Sequence, residues 1–133
     1  MPHLSRRAVL AAGFLIGLCL WLVPAQFMHL SEPWNANAPG YPIALAITGL
    51  VLGFLAPSRP GAAVSGVFLG QVAVILYRVA SHAENREFVL VGVVMLAGYT
   101  FVAGGLGAFV GSALRRRLHP DTPVERRISD RRA

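Results

Sequence analysis

Residues 88–114 read FVLVGVVMLAGYTFVAGGLGAFVGSAL, without one charged side chain, and Arg115-Arg116-Arg117 follows at once. About 20 apolar residues suffice to cross the hydrocarbon core of a bilayer as a helix. A helix also satisfies its own backbone polar groups, which lipid cannot do. The stretch therefore predicts a transmembrane helix with a basic flank.

Working outward, the same pattern recurs. The chain has 133 residues, 55% hydrophobic and only 14% charged, where a soluble domain carries about 25% charged residues. Between Ala8 and Leu114 the charged residues are Glu32, Arg59, Arg78, Glu84, Arg86 and Glu87. Spans are predicted at about 8–29, 41–56, 61–80 and 88–114, after a short flank at 1–7. The second is short: its length gives about 24 Å of helix against a core of about 30 Å. Pro24 marks a kink or an irregular last turn in the first span. Pro57-Ser58-Arg59-Pro60-Gly61 reads as a tight turn, and residues 31–40 and 81–87 as polar connections. Residues 115–133 read as a basic, disordered tail. The expected fold is an all-α membrane protein, a four-helix transmembrane bundle.

Arginine asymmetry gives the orientation. Lysine is absent and the net charge is +6. With four spans, Arg6, Arg7, Arg59, Arg115, Arg116, Arg117, Arg126, Arg127, Arg131 and Arg132 share one side, and Arg78 and Arg86 the other. Both ends are therefore expected in the cytoplasm, and the membrane is expected to be a bacterial inner membrane. Ser5-Arg6-Arg7 with Ala36-Asn37-Ala38 also resembles a twin-arginine export signal with a cleavage site. The long apolar run and the distant cleavage site favour an ordinary first span.

Each span carries two glycines four residues apart: Gly13 and Gly17, Gly49 and Gly53, Gly66 and Gly70, Gly107 and Gly111. Small neighbours extend the stripes, with Ala46 and Ala56 in the second span, Ala62 and Ala73 in the third, and Ala97, Thr100 and Gly104 in the fourth. In lipid, helices associate by close packing, which small residues permit. These faces are expected to build the bundle interior, or contacts with a second copy or another membrane protein, while larger side chains face lipid. Gly49–Arg59 and Gly107–Arg117 share the pattern G-x-x-x-G-x-x-x-x-x-R. That suggests two hairpins related by a pseudo-twofold axis along the membrane normal.

Few residues suggest chemistry. Gln71 is the strongly polar side chain deep in a span, about 15 Å from either end of its helix. A buried amide needs a partner, so it is read as interhelical glue, with a wall of a substrate path as the functional alternative. Arg78 and His82 continue the same face outward. Arg78 is expected to snorkel to the headgroups. His29, Glu32, His82, Glu84 and Glu87 lie in connections on the outer side, without metal-ligand spacing. Trp34, Tyr41, Tyr77 and Phe88 form the expected aromatic belt. Cys19, the sole cysteine, is expected to be a buried, inert thiol.

Arg115, Arg116 and Arg117 would attract anionic lipid, at about 1 kcal/mol each. Residues 115–133 hold no Phe, Tyr or Trp to stack on bases, which argues against nucleic acid. No carboxylate falls inside a span, which argues against a proton-coupled exporter. No nucleophile set, cysteine pair, phosphate loop or haem ligand pair is present. The sequence therefore predicts no catalytic, cofactor or metal site. It favours a non-enzymatic bundle acting as a packing or accessory subunit or a homo-oligomer. The alternative is a small transporter or channel with a path past Gln71 and Arg78. A third class is a surface regulator working through the arginine tail.

Overall fold

The computed structural model describes residues 5–28, 40–81 and 89–118. Four helices run in order: α1 Arg6–Met28, α2 Gly40–Leu55, α3 Pro60–Ala80 and α4 Val89–Leu118. The described residues form no strand. Three helices, α1, α3 and α4, are long and apolar enough to cross a membrane, and α2 is a shorter apolar helix. That composition and length suggest a membrane protein.

Local chemistry sets the ends. Ser5 caps α1, its Oγ accepting from the Ala8 N–H at 3.1 Å. The turn between α2 and α3 closes when the Arg59 N–H donates to the Ala56 carbonyl at 3.0 Å. Pro60 then opens α3, where a missing N–H costs nothing. At the far end the Ser81 hydroxyl donates to the Tyr77 and Arg78 carbonyls, both at 3.0 Å.

Helix α4 is not regular. Val89–Tyr99 is α-helical, Thr100–Gly104 forms a π turn, and Gly105–Leu118 is α-helical again. The Gly105 N–H reaches back to the Thr100 carbonyl, five residues away. Such a turn widens the helix by one residue and often marks a functional position. Nothing in the apolar pattern foretold it.

The helices pack as two close pairs. Helix α1 lies against α3, and α2 against the C-terminal half of α4. Within each pair the chains run in the same direction, since Gly13 and Gly17 meet Ala63 and Val67 in rising order, and Gly49 and Gly53 meet Gly104 and Ala108. Helix α3 joins the pairs through its contacts with α2 and α4. Leu45, Ile75 and Leu96 are enclosed between them. Large apolar side chains such as Leu15, Ile47, Leu76, Leu90, Val94 and Phe109 are exposed on the outside, as lipid-facing residues would be.

Several expectations change. Helix α4 continues through Arg115, Arg116 and Arg117 to Leu118, so the tail does not begin as disordered chain. Its first turn prolongs the backbone bonding of α4. Residues 119–133, with Arg126, Arg127, Arg131 and Arg132, lie outside the described residues. Helix α1 continues through Pro24 to Met28. Cys19 is exposed, not buried, because the α1 glycines and Trp21 take the inward face. Tyr41 is buried, while Tyr77 is exposed as an interfacial anchor would be. His29, Glu32, Trp34, His82, Glu84, Arg86, Glu87 and Phe88 lie outside the described residues, as do Ala36, Asn37 and Ala38.

Candidate functional site: glycine seams and a buried polar row

The glycines form two seams. A Cβ on Gly13 would collide with the Ala63 carbonyl, and one on Gly66 with the Leu10 carbonyl. On the next turn, Gly17 abuts the Val67 carbonyl and Gly70 the Phe14 carbonyl. The contacts are reciprocal, because Ala63 follows Leu10 by the interval at which Gly66 follows Gly13. The second seam repeats the arrangement. Gly49 abuts the Gly104 carbonyl and Gly107 that of Ala46, while Gly53 abuts Ala108 and Gly111 abuts Leu50.

Gly104 differs from its fellows. A Cβ there would find the Leu45 carbonyl at 3.7 Å, an ordinary contact. Its part in the seam is its own carbonyl, against Gly49. Gly98 and Gly105 have open space where a Cβ would stand.

Between the seams lies a row of polar groups, one from each helix: Trp21, Tyr41, Gln71 and Thr100. Gln71 and Thr100 are 0% exposed, Trp21 2% and Tyr41 6%. The Thr100 hydroxyl donates to Gln71 Oε1 at 2.9 Å. The Tyr41 hydroxyl lies beside Trp21 and Thr100. Its ring meets Tyr99 edge to face, with centroids 6.0 Å apart. The Arg78 guanidinium stands 5.9 Å from the centre of the Trp21 ring, a cation–π arrangement. Arg78 is half-buried beside that aromatic face.

The row is not repeated at the intervals that separate the glycines of each seam. By the intervals that relate the seams, Tyr41 corresponds to Tyr99. Gln71 corresponds to Leu18, Trp21 to Val74 and Thr100 to Pro42. Apart from the Tyr41 and Tyr99 pair, the polar side chain stands at only one of the two related positions. The π turn, which starts at Thr100, likewise has no partner in α2.

Gln71 was legible in the sequence as a polar residue in an apolar span. In the sequence Thr100 is one more small residue of its stripe, Tyr41 suits an interfacial anchor, and Trp21 carries no signal of its own. The rule that a buried amide must find a partner was the one signal that led toward Thr100.

The opposite end of α3 carries charge. Arg6, Arg7, Arg59, Arg115, Arg116 and Arg117 gather where α1 begins, α2 turns into α3 and α4 ends. Arg116 Nη2 donates to the Pro57 carbonyl at 3.4 Å. Arg115 stands over the Phe54 ring at 5.2 Å. No described residue is Asp or Glu. Comparison with known protein families, curated proteins and solved structures found no match.

Proposed function

We propose that this chain is a four-span integral membrane protein of a bacterial cytoplasmic membrane, with both ends in the cytoplasm. Two hairpins related by a pseudo-twofold axis along the membrane normal build it. The reciprocal carbonyl contacts in both glycine seams support the repeat. The collection of Arg6, Arg7, Arg59 and Arg115–Arg117 at one end supports the orientation. The topology is tested with single cysteines in a Cys19→Ser background. Ser5→Cys and Ser58→Cys should react with an impermeant maleimide from the inner face, and Ser81→Cys from the outer face. Labelling of Ser5→Cys and Ser81→Cys from one face would remove the four-span arrangement.

Within that fold we propose a non-enzymatic accessory role, exerted through the outer surface of the bundle. One observation carries it. The Gly13/Gly17, Gly49/Gly53, Gly66/Gly70 and Gly107/Gly111 faces are spent on contacts inside one chain, and they leave a densely packed interior. A void beside Thr100 and Gly49 measures about 10 Å³, and Gln71 is not among its walls. Association with a second copy or another membrane protein would then use what the seams leave free. The open backbone at Gly98, between exposed Met95 and Phe101 on α4, is one such place. Arg115, Arg116 and Arg117 would meet anionic lipid at the inner surface.

A small transporter or channel is the second reading, favoured by the buried row at Gln71 and by Arg78 beside Trp21. Gentle-detergent isolation of the tagged chain from its native membrane separates the two. Stoichiometric recovery of another membrane protein supports the accessory role. A lone chain whose reconstituted flux disappears in Gln71→Leu would replace it with the transporter.

A further inference from the structure

The two seams also set the depth of the arginines. A Cβ built on either of Gly13 and Gly66 would stand 3.1 Å from the other's Cα, so these glycines lie level. Arg6 and Arg59 each precede them by seven residues. In the second seam Gly53 meets Ala108 and Gly111 meets Leu50 and Phe54, so Gly53 and Gly111 lie near one level. Arg59 and Arg117 each follow them by six residues. Arg59 thus belongs to both registers, and Arg6, Arg59 and Arg117 come to one depth from three separate elements. The Arg116 bond to the Pro57 carbonyl, two residues before Arg59, holds the end of α4 to the turn.

Arg6, Arg7, Arg59, Arg116 and Arg117 are exposed, and none of the described residues is a carboxylate. Residues 119–133 carry three acidic and four arginine side chains, so they bring no surplus of negative charge. Two helices begin at this end and two finish there. Their dipoles offset one another, and the guanidinium groups set the sign. Like charges gathered at one depth repel, and an anion between them relieves the repulsion. The planar guanidinium suits phosphate in particular, because it can donate two parallel hydrogen bonds. One helical turn inward from Arg59 and Arg117, Leu55 and Leu114 are 58% and 42% exposed. The ligand that suits both features has an anionic head and an apolar chain, which a free phosphate lacks.

We propose that Arg6, Arg59 and Arg117 form a site for the phosphodiester headgroup of one anionic phospholipid. The site rests on the membrane reading above and is independent of the accessory role. It differs from general attraction of Arg115–Arg117 to a charged surface. It singles out Arg6 and Arg59, and it leaves aside Arg115, which stands over Phe54.

The full chain in mild detergent is given phosphatidylglycerol, phosphatidylcholine or inorganic phosphate, and native mass spectrometry counts what it retains. One phosphatidylglycerol per chain should be held in preference to phosphatidylcholine, and inorganic phosphate should not displace it. Arg59→Gln and Arg117→Gln should each weaken retention about tenfold, as loss of a charge-assisted hydrogen bond does. Arg115→Gln removes the same charge from the same end and should weaken it by no more than about twofold. Arg59 makes no side-chain cap bond to α3, so its exchange spares the helix, and size exclusion checks the folding of each variant. Equal retention of the two lipids, displacement by inorganic phosphate, or equal losses in all three variants would each overturn the site. Insertion is read separately, from the maleimide labelling above. A chain that inserts and shows no preference for the anionic lipid therefore refutes the site alone.

Discussion

The Thr100 hydroxyl donates to Gln71 Oε1 at 2.9 Å, and both side chains are wholly enclosed. This bond ties α3 to α4 at the π turn, where the two seams come together. Hydrogen bonds between membrane helices average about 0.6 kcal/mol and reach about 1.7 kcal/mol. Enclosure and good length place this one toward the upper end. Thr100→Val should destabilise the bundle by about 1–2 kcal/mol, because it also orphans the Gln71 carbonyl. Adding Gln71→Leu should recover part of that loss. A double-mutant cycle of unfolding in bicelles measures the coupling, and strictly additive losses would mean that the two side chains act independently.

Glycine substitutions should divide by position. Gly53→Leu and Gly111→Leu push a side chain into the Ala108 and Leu50 carbonyls, which are backbone atoms and cannot step aside. Folded yield should collapse for both. Gly104→Ala has ordinary contact distances and should be tolerated. Gly98→Ala meets open space and should be neutral or gain up to about 1 kcal/mol from helix propensity. Fluorescence-detected size exclusion ranks the set. A tolerated Gly111→Leu beside a ruinous Gly98→Ala would invert the proposed interior.

Tyr41 and Tyr77 offer a contrast between interior and interface. Tyr41 is buried against Tyr99, and Tyr77 is 72% exposed. Tyr41→Ala should cost several kcal/mol, on the order of the 3–5 kcal/mol seen for enclosed aromatic rings. Tyr41→Phe isolates the hydroxyl and should cost about 1 kcal/mol. Tyr77→Ala should change stability by less than about 1 kcal/mol. Equal losses at the two tyrosines would return Tyr41 to the aromatic belt.

Cys19 is exposed on α1, and in a bilayer that face would lie against lipid. Native membranes should therefore resist an impermeant maleimide. The same protein opened in denaturing detergent should label fully, as measured by gel shift. Rapid labelling in intact membranes would place water at this face.

The repeat can be tested by cutting the chain. Residues 1–58 and 59–133, expressed as separate polypeptides, should reassociate through both seams, since each half contributes α1 and α2 or α3 and α4. Gly66→Leu in the second half should block recovery of the first half in a pull-down. Failure of the unmodified halves to associate in the membrane would deprive the pseudo-twofold of its support.

The sequence by itself determined where helices form. Uncharged runs bounded by Pro57, Pro60 and arginine clusters leave lipid-compatible backbone no other regular form. It also marked Gln71, because a lone amide stands out against apolar neighbours. Helix α4 runs on through Arg115–Arg117, past the end of the uncharged run.

Only the tertiary structure decided which glycine faces which carbonyl. A small residue says that something comes close, and it does not say what. The same holds for Tyr41 and Trp21, whose chemistry suits an interface as well as a core. The π turn at Thr100 has no signature in an apolar run. Nor has the outward face of Cys19. Rotation of a helix about its axis is fixed by the neighbours it packs against, and a uniformly apolar helix carries that information only weakly in its own residues.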